Sequence, residues 1–68
     1  MYKSVLTSRE KEIFTLLTQN KTTKDIANKL NISEKTVRNH ISNTMQKLGV
    51  NGRAGAVVEL IKLNEISL

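Results

Sequence analysis

The segment from Ser33 to Leu48 constrains the fold more than any other part of the chain. Its large apolar residues recur at the three- and four-residue spacing of an amphipathic helix, and they are Val37, Ile41, Met45 and Leu48. Ser33 suits the N-cap, because its hydroxyl can accept a hydrogen bond from a free N–H group of the first turn. Gly49 suits the left-handed residue that ends a helix. The pattern therefore predicts a helix over residues 34–48 with one buried face.

The opposite face of this helix has an unusual composition. After Glu34, its outward residues are cations, amides and hydroxyls, with no acid among them. Arginine and asparagine form bidentate hydrogen bonds with guanine and adenine edges in the DNA major groove. A basic surface that only faces solvent is the simpler interpretation. The composition favours a DNA recognition helix, and its predicted contacts are Glu34, Lys35, Thr36, Arg38, Asn39, Ser42, Asn43, Gln46 and Lys47.

Length and charge limit the function further. The chain has 68 residues, which fits a single domain over residues 1–68. Its net charge is +5 and its pI about 9.9. Six of the eleven Lys and Arg residues lie within residues 21–47, against two acids there. Such a local excess of positive charge favours nucleic acid or an anionic surface as the partner.

The same composition argues against several classes. With no cysteine and one histidine, no disulfide framework or zinc site is expected, nor any cofactor or small-molecule ligand. No signal region and no run of 18 apolar residues occurs, so we expect a cytoplasmic protein with no membrane partner. Asp25, Ser33 and His40 lack the strand–turn–helix elbow of a nucleophilic serine, and the carboxylates are scattered. We therefore expect no enzyme.

Two further helices precede the recognition helix. Thr7 and Glu10 form the pattern of a capping box, which predicts a helix over about residues 8–19 after a flexible arm, residues 1–5. Thr23 is the expected cap of a short second helix over about residues 24–30. A tight polar turn then leads to Ser33, and this arrangement is typical of a helix-turn-helix.

The start of the second helix is a candidate phosphate site. In a helix-turn-helix, the first of the two helices crosses the DNA backbone, and its N-terminus presents free N–H groups. Thr22, Thr23 and Lys24 are therefore predicted to contact DNA. A role for Thr23 as nothing more than a helix cap is an equally good interpretation.

A fourth helix is predicted over about residues 53–64, with Asn51 as its N-cap and Arg53 placed to contact a phosphate or an acidic neighbour. Its apolar residues cover an arc of roughly 220°, whereas a helix that packs on one side needs little more than about 100°. The surplus favours a homodimer through this helix, with contacts from Val58, Ile61, Lys62 and Leu63. The alternative is that the tail, residues 65–68, folds back over the surplus.

Several motifs resemble the LuxR/FixJ-type helix-turn-helix family. They are T-x-R-E at residues 7–10, I-A-x-x-L at 26–30, I-S-x-x-T-V-x-x-H-I at 32–41 and K-L-G-V at 47–50. The resemblance implies an all-α fold, a four-helix bundle with a helix-turn-helix and no wing, dimerising through the C-terminal helix. It also implies a transcriptional activator or repressor that binds inverted half-sites in double-stranded DNA and contacts RNA polymerase holoenzyme.

The resemblance also assigns roles to individual residues. The family residues that match Arg38, Asn39 and Ser42 face base edges. Those that match Lys35, Lys47 and the start of the second helix lie near phosphates. His40 matches a family histidine, and packing with hydrogen bonding explains it better than a DNA contact, because it lies on the flank of the apolar face.

The similarity is greater to one kind of family member, the stand-alone regulators of late spore-coat genes that act in the mother cell of endospore-forming bacteria. The chain begins with Met1 and carries no second domain, so a stand-alone regulator of sporulation genes is expected. Two alternatives stay open, an excised effector domain of a two-component response regulator and a basic helical protein-interaction module. A membrane-surface helix and an RNA-binding module are less well supported, because RNA readers need stacking aromatics and the chain has two aromatic residues.

Overall fold

The structure, a computed structural model, describes residues 6–67 and contains four α-helices in that range. They are α1 (Ser8–Thr18), α2 (Thr23–Leu30), α3 (Glu34–Leu48) and α4 (Arg53–Lys62). No strand occurs among these residues, and the predicted all-α architecture is confirmed. The predicted flexible arm, residues 1–5, lies outside the described residues.

The caps of α1 and α2 are both reciprocal capping boxes. As predicted, the Thr7 hydroxyl accepts from the N–H of Glu10 at 3.2 Å and the Glu10 carboxylate accepts from the N–H of Thr7 at 3.1 Å. For α2, however, the predicted cap at Thr23 is wrong: Thr22 is the N-cap and shares both bonds with Asp25 at 3.1 Å. The reason is spacing. A capping box needs a carboxylate three residues after the cap; Asp25 lies three residues after Thr22.

Both ends of α3 lie where the sequence predicts them. The Ser33 hydroxyl accepts from the N–H of Thr36 at 3.0 Å. At the other end Gly49 adopts the left-handed conformation, with φ 68°, which glycine tolerates without steric cost. The chain then reverses, and the N–H of Val50 donates to the Met45 carbonyl at 3.1 Å.

The ends of α4 differ from the prediction. Gly52 occupies the N-cap position and makes no side-chain cap hydrogen bond, so the expected cap at Asn51 is wrong. The helix ends at Lys62 and not at 64, because Asn64 adopts a left-handed conformation with φ 58°. Asparagine accepts this conformation more readily than most residues. The resulting turn brings the N–H of Glu65 to the Leu60 carbonyl at 2.9 Å.

One hydrophobic core joins the four helices. All four helices contribute buried residues to it, and its fully buried members are Ile13, Phe14, Ile26, Val37, Ile41, Ala56 and Leu60. The tail folds back, as one of the two alternatives expected, and Ile66 enters the core at 7% exposure. Even so, Val58 and Leu63 on α4 remain 51% and 38% exposed, so the tail covers only part of the apolar surplus.

Within residues 6–67 no helix is long and apolar enough to cross a membrane.

Candidate nucleic-acid interface

The turn between α2 and α3 sets the position of the recognition helix. Asn31 ends α2 in the left-handed conformation, with φ 57°, and the N–H of Ile32 donates to the Ala27 carbonyl at 3.0 Å. Ile32 packs half-buried against the core. Three residues thus separate the two helices, a short turn typical of a helix-turn-helix, and α3 presents its outer side to solvent.

The outer side of α3 carries a polar surface that we call the recognition face. All of its members are exposed, and they are Lys35, Arg38, Asn39, Ser42 and Gln46. At about 100° per residue, these five side chains fall within an arc of about 100°. The buried residues of the same helix, Val37, Ile41 and Thr44, lie on the other side. The structure therefore brings the central predicted DNA contacts together on one accessible surface.

The central side chains of the recognition face have few hydrogen-bond partners within the protein. Asn39, Ser42 and Gln46 make no side-chain hydrogen bond to any of residues 6–67. Arg38 lies 3.7 Å from Glu34, one turn earlier, and both side chains are about half exposed. Such exposed pairs contribute little free energy, so the guanidinium of Arg38 is readily available to another acceptor.

Other predicted contacts on α3 lie at the edge of this surface or beyond it. Exposed Asn43 flanks the recognition face. The Thr36 hydroxyl lies 2.9 Å from the Ser33 hydroxyl at the helix cap. The Lys47 ammonium donates to the Glu10 carboxylate at 2.8 Å. Thr36 and Lys47 are therefore both engaged by the protein itself, and a DNA contact from either stays a prediction.

A second cluster of polar groups lies where α2 and α4 begin. The guanidinium of Arg53 donates to the Thr23 hydroxyl at 3.5 Å, joining the two helix starts. Thr22 and Lys24 are exposed beside them and Thr23 is half-buried. Hydrogen bonds from the Thr22 backbone and side chain lower the pKa of exposed Asp25. The sequence did not predict the contact of Arg53 with Thr23. No acidic side chain among residues 6–67 pairs with Arg53, and its contact with a phosphate stays a prediction.

The Glu10–Lys47 pair is the main feature that sequence reasoning missed. Glu10 is 3% exposed and belongs to α1, whereas Lys47 lies in the last turn of α3. Burial alone would raise the pKa of Glu10, but hydrogen bonds from Lys47 and Thr7 and the nearby charge of Lys47, with a smaller contribution from His40, hold that pKa below 4.5. One signal was available: Glu10 precedes Ile13 and Phe14 by three and four residues, on the apolar face of α1.

His40 and Thr44 complete this flank of α3. His40 is half-buried, and its carbonyl accepts a hydrogen bond from the fully buried Thr44 hydroxyl at 2.9 Å. Among residues 6–67, no three His, Cys, Asp or Glu side chains are grouped as metal ligands.

Sequence comparison relates the chain to known bacterial regulatory proteins. A sequence model of the family described as bacterial regulatory proteins, luxR family, matches residues 4–60. The chain is 67% identical over 66 residues to the spore germination protein GerE of Bacillus subtilis (strain 168), covering 97% of this chain and 89% of that protein. It is 52% identical over 58 residues to the transcriptional regulatory protein DegU of Brevibacillus brevis, covering 85% of this chain and 25% of DegU.

Solved structures of bacterial regulators have the same fold. The structure of the transcription factor GerE superposes with a TM-score of 0.93 at 63% identity, covering 96% of this chain and 97% of that one. The response regulator ChrA of a heme-sensing two-component system superposes with a TM-score of 0.86 at 35% identity. That match covers 97% of this chain and 33% of ChrA.

Proposed function

The chain belongs to the luxR family of bacterial regulatory proteins and is a GerE-like DNA-binding transcription regulator, and we propose that it binds inverted half-sites in double-stranded DNA as a homodimer, with α3 in the major groove. One observation carries the proposal. The recognition face is exposed, free of acids, and largely without hydrogen-bond partners inside the protein. Exposed amide, hydroxyl and guanidinium groups that are not engaged by the protein itself are suited to bind base edges.

The central residues of the recognition face are the proposed base contacts. Arg38 has the fork of donors that matches the O6 and N7 of guanine, and Asn39 has the donor and acceptor that match adenine. Ser42, one turn after Arg38, contacts either. Lys35 on the same face contacts a phosphate or a neighbouring base, as do Asn43 and Gln46. Glu34 accepts from the amino group of a cytosine.

The joined starts of α2 and α4 are the proposed phosphate anchor. The first turns of both helices direct N–H groups outward, where the helix dipole favours an anion. Lys24 and Arg53 add two cations there, and Thr22 and Thr23 add hydroxyls. Contacts of this kind position a protein on DNA without reading its sequence.

The exposed apolar residues of α4 are the proposed dimer contact. Val58 and Leu63 are the exposed large hydrophobic residues of the described chain, with half-buried Ile61 and exposed Lys62 beside them. A two-fold contact through this surface sets two copies of α3 about 34 Å apart, one turn of DNA. Inverted half-sites follow from that symmetry.

The genes controlled are proposed from the likeness to GerE. The chain matches a spore germination protein over most of both lengths, and we infer that it regulates sporulation genes in the cytoplasm of the mother cell. Recruitment or blocking of RNA polymerase holoenzyme at those promoters is the corresponding mode of action.

The proposal is tested by selecting bound duplexes from a random pool with the full chain. Enrichment of an inverted repeat is expected, with half-site centres about ten base pairs apart. Affinity for the selected duplex should fall steeply with salt, since each phosphate contact adds about 0.9 to the slope of log K against log salt. Equal binding to every duplex, or a preference for anionic vesicles over DNA, would contradict sequence-specific recognition.

A further inference from the structure

Lys47 lies too far around α3 from the recognition face to be an ordinary phosphate anchor. At about 100° per residue, its direction is about 130° from the mean direction of Arg38, Asn39 and Ser42, and about 20° from that of His40. Its ammonium points toward α1 and donates to the buried Glu10 carboxylate at 2.8 Å. The cation therefore has a partner in the body of the protein.

Glu10 is itself fixed in place by burial and by two hydrogen bonds. It is 3% exposed, it lies in the first turn of α1, and the same oxygen that accepts from Lys47 also accepts from the N–H of Thr7 at 3.1 Å. A buried carboxylate retains its charge when such bonds compensate its lost hydration. The first turn of α1 and the last turn of α3 thus share one charged hydrogen-bonded joint.

From this geometry we propose that Glu10 and Lys47 are positioning residues for DNA recognition: their ion pair sets the orientation of α3, so that Lys47 supports base contacts through Glu10 and not by binding phosphate. This inference rests on the proposed function. It assigns to Lys47 a role other than the phosphate contact that the family resemblance implies.

The length of α3 makes this joint effective. Ser42 lies nine residues after the Ser33 cap, about 13.5 Å along the helix axis. Once the last turn is released, a tilt of about 5° about that cap displaces Ser42 by ~1.2 Å, which exceeds the roughly 0.5 Å within which a preorganised site must be held. Loss of the pair should therefore impair base contacts while leaving phosphate contacts, which tolerate such shifts, nearly intact.

The test is a double-mutant cycle in the full chain, with Lys47→Met, Glu10→Gln and the double variant. Gln at position 10 retains an acceptor for Thr7. Each protein is assayed by fluorescence anisotropy on the duplex selected with the wild type and on a scrambled duplex of equal length. Circular dichroism sets a temperature at which all variants are folded.

Three results are expected. Each single variant binds the selected duplex about five- to thirtyfold more weakly, as expected for one impaired base contact. Its affinity for the scrambled duplex changes by less than about threefold. The double variant is no worse than the single variants, because both break one interaction. The salt slope is unchanged for Lys47→Met but falls by about 1.8 for Lys35→Met, about 0.9 for each protomer of the dimer. Lys35→Met is the matched substitution on the recognition face. Lys47→Arg restores selectivity.

Other results overturn the proposal. If Lys47→Met weakens both duplexes equally and lowers the salt slope by about 1.8, about 0.9 for each protomer, while Glu10→Gln changes neither, Lys47 is a phosphate contact. If neither variant alters selectivity, the pair contributes to folding alone. Failure of the proposed function gives a different pattern, because the wild type itself then yields no selected duplex.

Discussion

Replacing Arg38 by alanine separates recognition from stability. Arg38 contacts Glu34 at 3.7 Å with both side chains about half exposed, and such a pair on one helix contributes about 0.3–0.5 kcal/mol. Alanine is a better helix former and offsets part of that loss. The free energy of unfolding should therefore change by less than about 0.5 kcal/mol. A lost bidentate base contact costs about 1–3 kcal/mol, or about 5- to 150-fold in Kd per half-site.

The effect on a dimer is larger, since both half-sites lose the contact. An inverted repeat bound by two protomers should lose roughly 2–6 kcal/mol, and the preference at one base position per half-site should relax. Fluorescence anisotropy on a set of single-base variants of the selected duplex measures both effects. Urea unfolding measures the stability.

Arg9→Ala is the matched control for this experiment. Arg9 forms an ion pair of the same kind with Glu12 on α1, at 3.4 Å with both side chains at least 40% exposed, and it lies away from the recognition face. Arg9→Ala removes one positive charge, as Arg38→Ala does, so it should lower DNA affinity slightly and without sequence preference. If Arg38→Ala instead weakened every duplex to the same degree, Arg38 would contact phosphate, and the assignment of base contact to this residue would be refuted.

Three further predictions follow from the described contacts. Val58→Glu or Leu63→Glu should leave the chain monomeric at concentrations where the wild type sediments as a dimer. Asn28→Glu, which makes the same charge change on the exposed surface of α2, should leave the dimer intact. A wild type that is monomeric both alone and on DNA would refute the proposed α4 interface. Thr22→Ala should remove the α2 cap at about 1 kcal/mol, lowering Tm by about 4–8 °C, with a smaller effect for Thr23→Ala; equal effects would contradict the observed cap. The pKa of Glu10 is lowered, so its stabilisation is present above pH 4.5 and is lost as pH falls through the folded value. Urea midpoints of the wild type should therefore fall more steeply below pH 4.5 than those of Glu10→Gln, and parallel curves would refute this.

The helices and most of their ends were predictable because their signals are local. A cap, its partner and the first apolar residues lie within one turn, so Thr7, Ser33 and Gly49 are recognisable without knowledge of the rest of the fold. The cap of α2 was predicted at Thr23, one residue too late. The signal for Thr22 is equally local, because Asp25 lies three residues from Thr22 and two from Thr23. The left-handed turn at Asn64 was less visible, since asparagine adopts that conformation in some contexts only.

Contacts between distant residues were not predictable in the same way. Glu10 and Lys47 are 37 residues apart, and each had a sufficient local explanation, in a capping box for Glu10 and in a predicted phosphate contact for Lys47. Arg53 and Thr23 lie 30 residues apart and also had separate local roles. A helical pattern reveals which residues share a face, but the pairing of two faces depends on how the helices pack.

The apolar surplus of α4 illustrates why two interpretations can both hold. The tail covers part of it, because Asn64 turns the chain and Ile66 reaches the core at 7% exposure. The described residues of the tail, 65–67, can cover only part of an arc of about 220°. Val58 and Leu63 remain outside that cover, and they are the residues for which a second copy of the chain is proposed.

The distribution of hydrogen bonds along α3 suggests why base contacts belong in its middle. At the first turn, Thr36 is held by Ser33 at 2.9 Å, and at the last turn Lys47 is held by Glu10 at 2.8 Å. Between them, Asn39 and Ser42 make no side-chain hydrogen bond within the described part of the chain. A helix whose last turn is held by α1 loses less orientational freedom on binding, while its exposed central groups exchange water for base edges. Selectivity should therefore depend on the Glu10–Lys47 contact as well as on the central residues.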